Sequence, residues 1–172
     1  MKRPNPIDPN SELYSDLHEN MSPRLRLAWD LAEETGLRVS DIIKLKAKNI
    51  HPGGIVVKES KTGKTRWVFP SDDLVHRLKL SADLGESQYC FPSPHDPGKP
   101  ISRDTLGKEI RTLRKNLKIP DDFIISMHSA RKNYAIDLLK KSNGDVTLVQ
   151  KALRHSKLET TLLYLYGAPS AK

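Results

Sequence analysis

The chain has 172 residues, enough for one domain with a buried core that needs neither disulfides nor a metal. Its 29 Lys and Arg residues outnumber 21 Asp and Glu residues, and the net charge of +8 favours a polyanionic partner such as nucleic acid. The single cysteine, Cys90, and the lack of an apolar run of about 20 residues exclude a disulfide framework and a membrane span, so we expect a cytoplasmic protein without a membrane partner.

The N-terminal part of the chain contains a polar segment followed by helices. Residues 1–21 are polar and carry three prolines, which predicts a linker or arm ahead of the domain. A Ser-Pro start and apolar residues at helical spacing predict a helix over residues 23–35. Arg38 follows in a turn before a short helix predicted over residues 41–46, with Asp41 as a candidate orienting partner of its guanidinium.

Between residues 49 and 70 the apolar period changes from helical to β. Residues 55–59 and 65–69 are rich in β-branched and aromatic side chains, which predicts two strands. Residues 60–64 (SKTGK) contain a glycine and form the predicted hairpin loop, with Lys61 and Lys64 at its tip. A lysine in such a loop is usually solvated.

The middle of the chain is predicted to contain two amphipathic helices. One begins after Ser71 and ends before Gly85, and the other begins after Ser102. A proline-rich loop over residues 92–100 separates them, and its His95 is predicted to be exposed. The second helix has a basic face that is either an ordinary solvated surface or a phosphate-contacting one. Its members are Arg103, Lys108, Arg111, Arg114, Lys115 and Lys118.

Three consecutive helices are predicted over residues 126–166, and the first is suited to anion binding. Ser126 caps it, which places His128 and Arg131 on neighbouring positions of one face. Both lie near the positive N-terminal end of the helix, where an anion is stabilised.

The other two helices meet at His155. The second opens at Asp145 and ends near that histidine, and residues 156–159 (SKLE) have the form of a capping box that starts the third. Tyr164 lies about 12 Å along this last helix from His155. The helix must therefore fold back for the two side chains to meet.

These motifs resemble those of the tyrosine recombinases, the phage integrase family of site-specific DNA recombinases. Residues 128–131 (HSAR) match the family's H-x-x-R, residues 153–156 (LRHS) its L-G-H box, and Tyr164, nine residues after the histidine of that box, its nucleophile. Residues 35–41 (TGLRVSD) resemble its first arginine motif. Arg154 stands where the family usually has glycine, a departure that affects the geometry of the local turn.

The resemblance implies one catalytic group made of Arg38, Lys61, His128, Arg131, His155 and Tyr164. In the family a hairpin lysine enters the site when DNA docks; Lys61 aligns with it, and Lys64 is the less favoured choice. Tyr166 competes with Tyr164 as nucleophile, but two residues on a helix differ by about 200°, so only one can face the phosphate. The nine-residue spacing selects Tyr164.

This set of side chains suits strand transfer from DNA to a tyrosine. Arg38 and Arg131 can hold the non-bridging phosphate oxygens in place of a metal ion. A phenol with a pKa of about 10 is both a nucleophile and a leaving group, and Lys61 would protonate the departing 5′ hydroxyl. His128 and His155 would complete the pocket. The sequence has no metal-ligand motif and no nucleotide-binding loop, so we expect no metal and no cofactor.

The resemblance also implies the fold and the partners. We expect a mainly α domain with a small antiparallel β-sheet, the DNA breaking-rejoining enzyme fold, over residues 22–172. Its function would be site-specific recombination or integration of double-stranded DNA for a phage or mobile element, through a covalent 3′-phosphotyrosyl intermediate and without ATP. Family members carry an N-terminal core-binding domain that residues 1–21 cannot supply, which predicts a fragment of a longer protein.

Assembly and two other functions stay open. Family members form tetramers on two DNA sites and exchange C-terminal segments, so we expect a homotetramer on DNA; whether the short tail over residues 167–172 permits exchange, or the domain alone is monomeric, is open. A type IB topoisomerase uses a similar set of residues but relaxes supercoils as a monomer. A non-catalytic DNA-binding regulator on the same fold would tolerate a Tyr164→Phe change.

Overall fold

A computed structural model describes residues 4–166, which contain eight α-helices and one small sheet. The mainly α prediction with a small antiparallel sheet is confirmed. The helices are α1 (Glu12–Asn20), α2 (Pro23–Thr35), α3 (Val39–Ile42), α4 (Asp72–Leu84), α5 (Arg103–Asn116), α6 (Met127–Lys141), α7 (Val146–Leu153) and α8 (Leu158–Tyr166). The strands are β1 (Ile50–His51), β2 (Gly54–Lys58) and β3 (Thr65–Val68), in the order β1-β2-β3.

The sheet is built on the predicted hairpin. Strands β2 and β3 pair antiparallel, with Ile55 opposite Val68, and the predicted loop between them is present. Ile55, Val57 and Val68 are buried against the core, as the period-2 pattern requires. Strand β1 was not predicted, because two residues are too few to give a periodic signal.

Helix α2 lies at the centre of the domain, packed against α3, α4 and α6. Its Leu25, Trp29 and Leu31 are almost fully buried, and so is Ala28 between them. Because neighbours cover it on several sides, the buried residues extend beyond one apolar stripe. This helix therefore fixes the positions of the segments that follow it.

Five of the predicted helix starts are confirmed by their caps. A side-chain oxygen of each N-cap residue accepts a hydrogen bond from a backbone N–H of the first turn, which satisfies one of the donors that a helix start leaves unpaired. These residues are Ser22, Ser71, Ser102, Ser126 and Asp145.

The prediction of a linker over residues 1–21 is wrong for most of that segment. Residues 12–20 form α1, Leu17 is fully buried, and Ile7 is 2% exposed. The backbone N–H of Ile7 donates to Asn133 Oδ1 at 2.9 Å, which ties the arm to α6. Polar composition concealed a single apolar row at Leu13, Leu17 and Met21, spaced four apart as on one face of a helix.

The short helix after Arg38 begins and ends earlier than predicted. Helix α3 covers Val39–Ile42 rather than residues 41–46. The backbone of the next residues is paired elsewhere, since the Ala47 N–H donates to the Gln88 carbonyl and the Leu45 carbonyl accepts from the Cys90 N–H. A backbone group bonded across to another segment is not free to continue a helix.

Gly36 ends α2 at a position that only glycine fits. Its φ is +63°, and a Cβ there would lie 2.5 Å from the ring of Tyr134 on α6. This close approach sets the path of the chain from α2 into Arg38.

Arg154 ends α7 in the same left-handed region, with φ 51° and ψ 49°. An L side chain in this conformation costs about 1–2 kcal/mol relative to the right-handed helix. The turn itself satisfies helix-end carbonyls, since the His155 N–H donates to the Gln150 carbonyl at 3.1 Å. Glycine would therefore be unstrained in this turn, but the residue there is an arginine.

Residues 167–172, the predicted tail, lie outside the described residues. Between residues 4 and 166 no helix combines the length and the apolarity that crossing a membrane requires.

We expect Leu17→Ala to lower the free energy of unfolding by about 2–5 kcal/mol, the usual range for a buried leucine. Equilibrium denaturation in urea measures this change. Leu84→Ala is the matched control, because Leu84 is 77% exposed and its truncation should change stability by less than about 0.5 kcal/mol. Equal stability of the Leu17 variant and the unaltered chain would contradict the packing of α1.

A second stability comparison isolates the backbone of Arg154. Arg154→Gly and Arg154→Ala both remove the guanidinium, but only the alanine variant keeps the left-handed strain. We expect the glycine variant to be more stable than the alanine variant by about 1 kcal/mol. Thermal unfolding of the two proteins under one set of conditions measures the difference, and a more stable alanine variant would contradict the left-handed turn.

Candidate active site

Arg131 joins three parts of the chain from the first turns of α6. Its side chain is only 3% exposed, and its guanidinium donates to two backbone carbonyls, those of Gly36 and Leu153. The Leu153 contact measures 2.8 Å. Because a charged donor left unpaired in the interior is strongly unfavourable, these bonds hold the segment before Arg38 and the segment before His155 against α6.

Arg38 lies beside Arg131 at the start of α3. Burial lowers the pKa of Arg131 to about 10, and the positive charge of Arg38 acts in the same direction. Two guanidinium groups of like charge are thus held close together. Such a pair favours an anion between them, because an anion removes the repulsion and offers acceptors to both.

The predicted contact between Asp41 and Arg38 is not formed. Asp41 is buried, and its Oδ1 accepts from the backbone N–H of Ser60 at 2.7 Å. The carboxylate therefore anchors the β2–β3 loop instead of orienting Arg38. Spacing along the sequence suggested Arg38, the nearest cation, as the partner of Asp41. In the fold its partner is the backbone of the hairpin loop instead.

His155 lies in the turn between α7 and α8. Its Nδ1 is 3.1 Å from the hydroxyl of Thr161, and its ring meets the ring of Tyr164 edge-on at 5.5 Å between centroids. Burial, together with the charges of Arg131, Arg38 and Lys61, lowers the pKa of His155 to about 4. The imidazole is therefore neutral at pH 7.

Helix α8 folds back so that Tyr164 reaches the other side chains. The Tyr164 hydroxyl donates to the backbone carbonyl of His128 at 3.2 Å. Burial raises its pKa to about 12, while Arg131, through its charge and a hydrogen bond, and Arg38 act in the opposite direction. Tyr166 points away and is 66% exposed, so only Tyr164 faces the cluster.

His128 and Lys61 lie at the edge of this group. The His128 side chain is exposed at the rim, where the surrounding protein and the charges of Arg131 and Arg38 lower its pKa. Lys61 is exposed in the β2–β3 loop, and its charge reaches His155. Within residues 4–166 its ammonium group forms no hydrogen bond or ion pair. Lys64, in the same loop, is exposed too.

Sequence analysis missed a buried cluster behind the lysine loop. Glu59 is 2% exposed, and its carboxylate pairs with Arg66 at 3.4 Å and Arg154 at 3.6 Å. Arg66 also donates to the Ala152 carbonyl at 2.8 Å. The partners are far apart along the chain, so spacing carries no signal for them. Two features of the sequence pointed to this cluster. Glu59 lies close to the loop lysine, and Arg154 stands where the family usually has glycine.

The basic face of α5 is partly neutralised. Lys108 and Arg111 both pair with Asp104, at 3.2 and 3.3 Å, and Arg114 donates to the Pro120 carbonyl at 3.0 Å. Arg103 lies nearer the site, in a hollow that His128 also lines. Across residues 4–166, no three or more His, Cys, Asp or Glu side chains are grouped to hold a metal ion.

The sequence profile of the phage integrase family matches residues 10–170 of the chain. A probable integrase/recombinase protein of Methanocaldococcus jannaschii is 29% identical over 86% of this chain and 46% of that protein. Tyrosine recombinase XerD of Staphylococcus aureus is 30% identical over 90% of this chain and 54% of that protein. The chain thus spans about half the length of the curated relatives it matches.

A solved structure supports the fold. A lambda integrase dimer bound to a COC′ core site superposes with a TM-score of 0.74 at 22% identity, over 100% of this chain and 62% of that chain. The match covers the segments that carry Arg38, Arg131, His155 and Tyr164. With the profile match across almost the whole sequence, it follows that the chain belongs to the phage integrase family of tyrosine recombinases.

Proposed function

We propose that the chain is the catalytic domain of a site-specific DNA recombinase that cleaves and rejoins strands through a 3′-phosphotyrosyl intermediate. The observation that carries this proposal is the meeting of Arg38, Arg131, His155 and Tyr164 at one place. The relatives named integrase/recombinase and tyrosine recombinase support the activity. The lambda integrase dimer, bound to a core site, supports double-stranded DNA as the partner.

The two arginines would bind the scissile phosphate. Arg38 and Arg131 already repel each other, so an anionic phosphodiester between them is stabilised in both the ground state and the transition state. Stabilisation is greater in the transition state, where charge grows on the non-bridging oxygens. Arg131 needs no reorganisation for this task, because its two carbonyl contacts fix the guanidinium before DNA arrives.

Tyr164 would attack the phosphorus, forming the bond from its phenolic oxygen while the bond from phosphorus to the 5′ oxygen breaks. With a pKa of about 12 the free phenol is protonated, so the proton must leave during attack. His155 is neutral and lies against the phenol ring, which suits it to accept this proton. Bound phosphate would partly offset the cations that lower the pKa of His155 and so strengthen it as a base.

Lys61 would donate a proton to the departing 5′ oxygen. Its ammonium group is exposed and its loop adjoins the site, so DNA could draw it onto the scissile bond. The reverse reaction uses the same groups in opposite roles. The phosphotyrosyl bond replaces the broken linkage, so rejoining needs no ATP.

We further infer the setting of this domain. The catalytic unit would begin with α1 rather than at residue 22, because α1 packs into the core. A DNA-binding domain elsewhere in a longer protein would complete the grip on the duplex, as the half-length match to relatives suggests. Strand exchange between two sites calls for several copies, so a homotetramer on DNA is proposed, acting on a phage or other mobile element in the cytoplasm.

We expect Tyr164→Phe to abolish covalent attachment to DNA and to leave DNA binding unchanged. The substrate is a pool of nicked duplexes randomised around the nick, in which loss of the short strand traps the adduct. Denaturing gels with labelled DNA measure attachment, and gel shifts measure binding.

Tyr166→Phe is the matched control, because its ring is 66% exposed and should not matter. An adduct that persists in Tyr164→Phe would contradict the nucleophile. Binding without any adduct in the unaltered chain would indicate a regulator instead of an enzyme.

We also expect the imidazole of His155 to titrate with a pKa of about 4 in the free protein, below the ordinary histidine value of 6.5. Burial and three neighbouring cations disfavour the charged form, so the ring should be neutral throughout pH 5.5–8 (about 1.5 pH units or more above the midpoint). NMR of the ring carbons measures the titration, and His155→Gln identifies the signal. A midpoint at or above 6.5 would contradict this environment.

A further inference from the structure

Behind the loop that carries Lys61 lies a buried carboxylate, that of Glu59. It is 2% exposed at the end of β2, and its Oε2 accepts from the hydroxyl of Thr62 at 2.7 Å. The backbone of Glu59 closes the loop as well, since its N–H donates to the Lys64 carbonyl and its carbonyl accepts from the Gly63 N–H, each at 2.9 Å. The side chain and the backbone of Glu59 therefore both fix the shape of the loop.

Two arginines join this carboxylate to the end of α7. Arg66 lies 3.4 Å from one oxygen of Glu59 and donates to the Ala152 carbonyl at 2.8 Å. Arg154 lies 3.6 Å from the other oxygen. The loop of Lys61 and the turn of His155 are thus linked by one buried group of charges, in which each ion needs its partners because burial is unfavourable for an unpaired charge.

Of these charged residues, Arg154 is the one whose backbone conformation is unfavourable for a residue with a side chain. It occupies a left-handed position where glycine would be unstrained, and where the phage integrase family usually has glycine. The guanidinium is about one-third exposed, yet it is directed at a carboxylate that is 1% exposed. A side chain kept at a strained position is expected to provide something that glycine could not.

We propose that Arg154, acting through Glu59, is a positioning residue that holds the loop of Lys61 against the turn of His155. This inference rests on the proposed function, in which Lys61 protonates the leaving 5′ oxygen. Asp41 restrains the same loop as well, through the Ser60 N–H. Loss of Arg154 should therefore loosen the loop and slow that proton transfer without removing the lysine.

The first test does not depend on DNA. Hydrogen exchange of the Gly63 amide, which is bonded to the Glu59 carbonyl, should be faster in Arg154→Gly and in Arg154→Ala than in the unaltered chain. The two variants differ in backbone strain but share the missing guanidinium, so similar acceleration in both assigns the effect to the side chain. Lys79→Ala, which removes an exposed charge from α4, should leave this amide unchanged.

The second test separates leaving-group protonation from other defects. Duplexes recovered as covalent adducts from the randomised pool are made with either oxygen or sulfur at the scissile 5′ position. A thiol has a pKa of about 8.5, far below that of an alcohol, so the sulfur departs without a proton. We expect both Arg154 variants to cleave the oxygen duplex about tenfold slower and the sulfur duplex within about twofold of the unaltered rate.

Matched variants define the comparison. Lys61→Ala should show a larger loss on oxygen, about 100-fold or more, with the same rescue by sulfur. Glu59→Gln combined with Arg154→Ala should be no slower than the slower single variant, because both act through one contact. Lys79→Ala should match the unaltered chain on both duplexes.

Three results would overturn the proposal: unaltered exchange at Gly63, full activity of the Arg154 variants on the oxygen duplex, or a defect that persists with sulfur. Each leaves the proposed function intact as long as the unaltered chain forms its adduct. Failure of the unaltered chain on both duplexes would overturn the proposed function, and the role of Arg154 with it.

Discussion

The guanidinium of Arg131 holds the candidate active site together through hydrogen bonds to the carbonyls of Gly36 and Leu153. Charge-assisted bonds of this kind contribute about 1.5–3 kcal/mol each, and more is lost when a buried donor is left unpaired. One carbonyl precedes Arg38 and the other precedes His155. A single buried cation therefore sets the distance between two segments that are more than a hundred residues apart in sequence.

The site that results carries an excess of positive charge before any ligand binds. Burial lowers the pKa of Arg131 to about 10 and that of His155 to about 4, and the charge of Arg38 acts in the same direction on both. A phosphodiester bound between the two arginines would remove the repulsion between them. Relief of this repulsion would therefore contribute to the free energy of binding. The same field opposes the burial that raises the pKa of Tyr164. In the proposed mechanism, phosphate affinity and the activation of Tyr164 thus share one electrostatic origin.

Around this centre two carboxylates, those of Asp41 and Glu59, restrain a loop, and within residues 4–166 neither forms an ion pair with Arg38 or Arg131. Asp41 accepts from the Ser60 N–H, and Glu59 lies beneath the loop with Arg66 and Arg154. Each carboxylate satisfies part of its charge within a buried network. Lys61 therefore belongs to a loop held at Ser60 by Asp41 and at Thr62 by Glu59, while its own side chain stays at the surface.

The sequence by itself predicted most of the helices and five of their caps, and it supplied the proposed members of the candidate site, because these depend on local spacing and on short motifs. Ser126, His128 and Arg131 are an example, since three residues within two turns of a helix need no distant partner to be recognised. It failed for residues 12–20, where a polar composition concealed one buried row around Leu17. Partners distant in sequence were decided only by the tertiary structure: Asp41 with Ser60, and Glu59 with Arg154. The physical reason is that such contacts depend on how helices and strands pack, which no local pattern encodes.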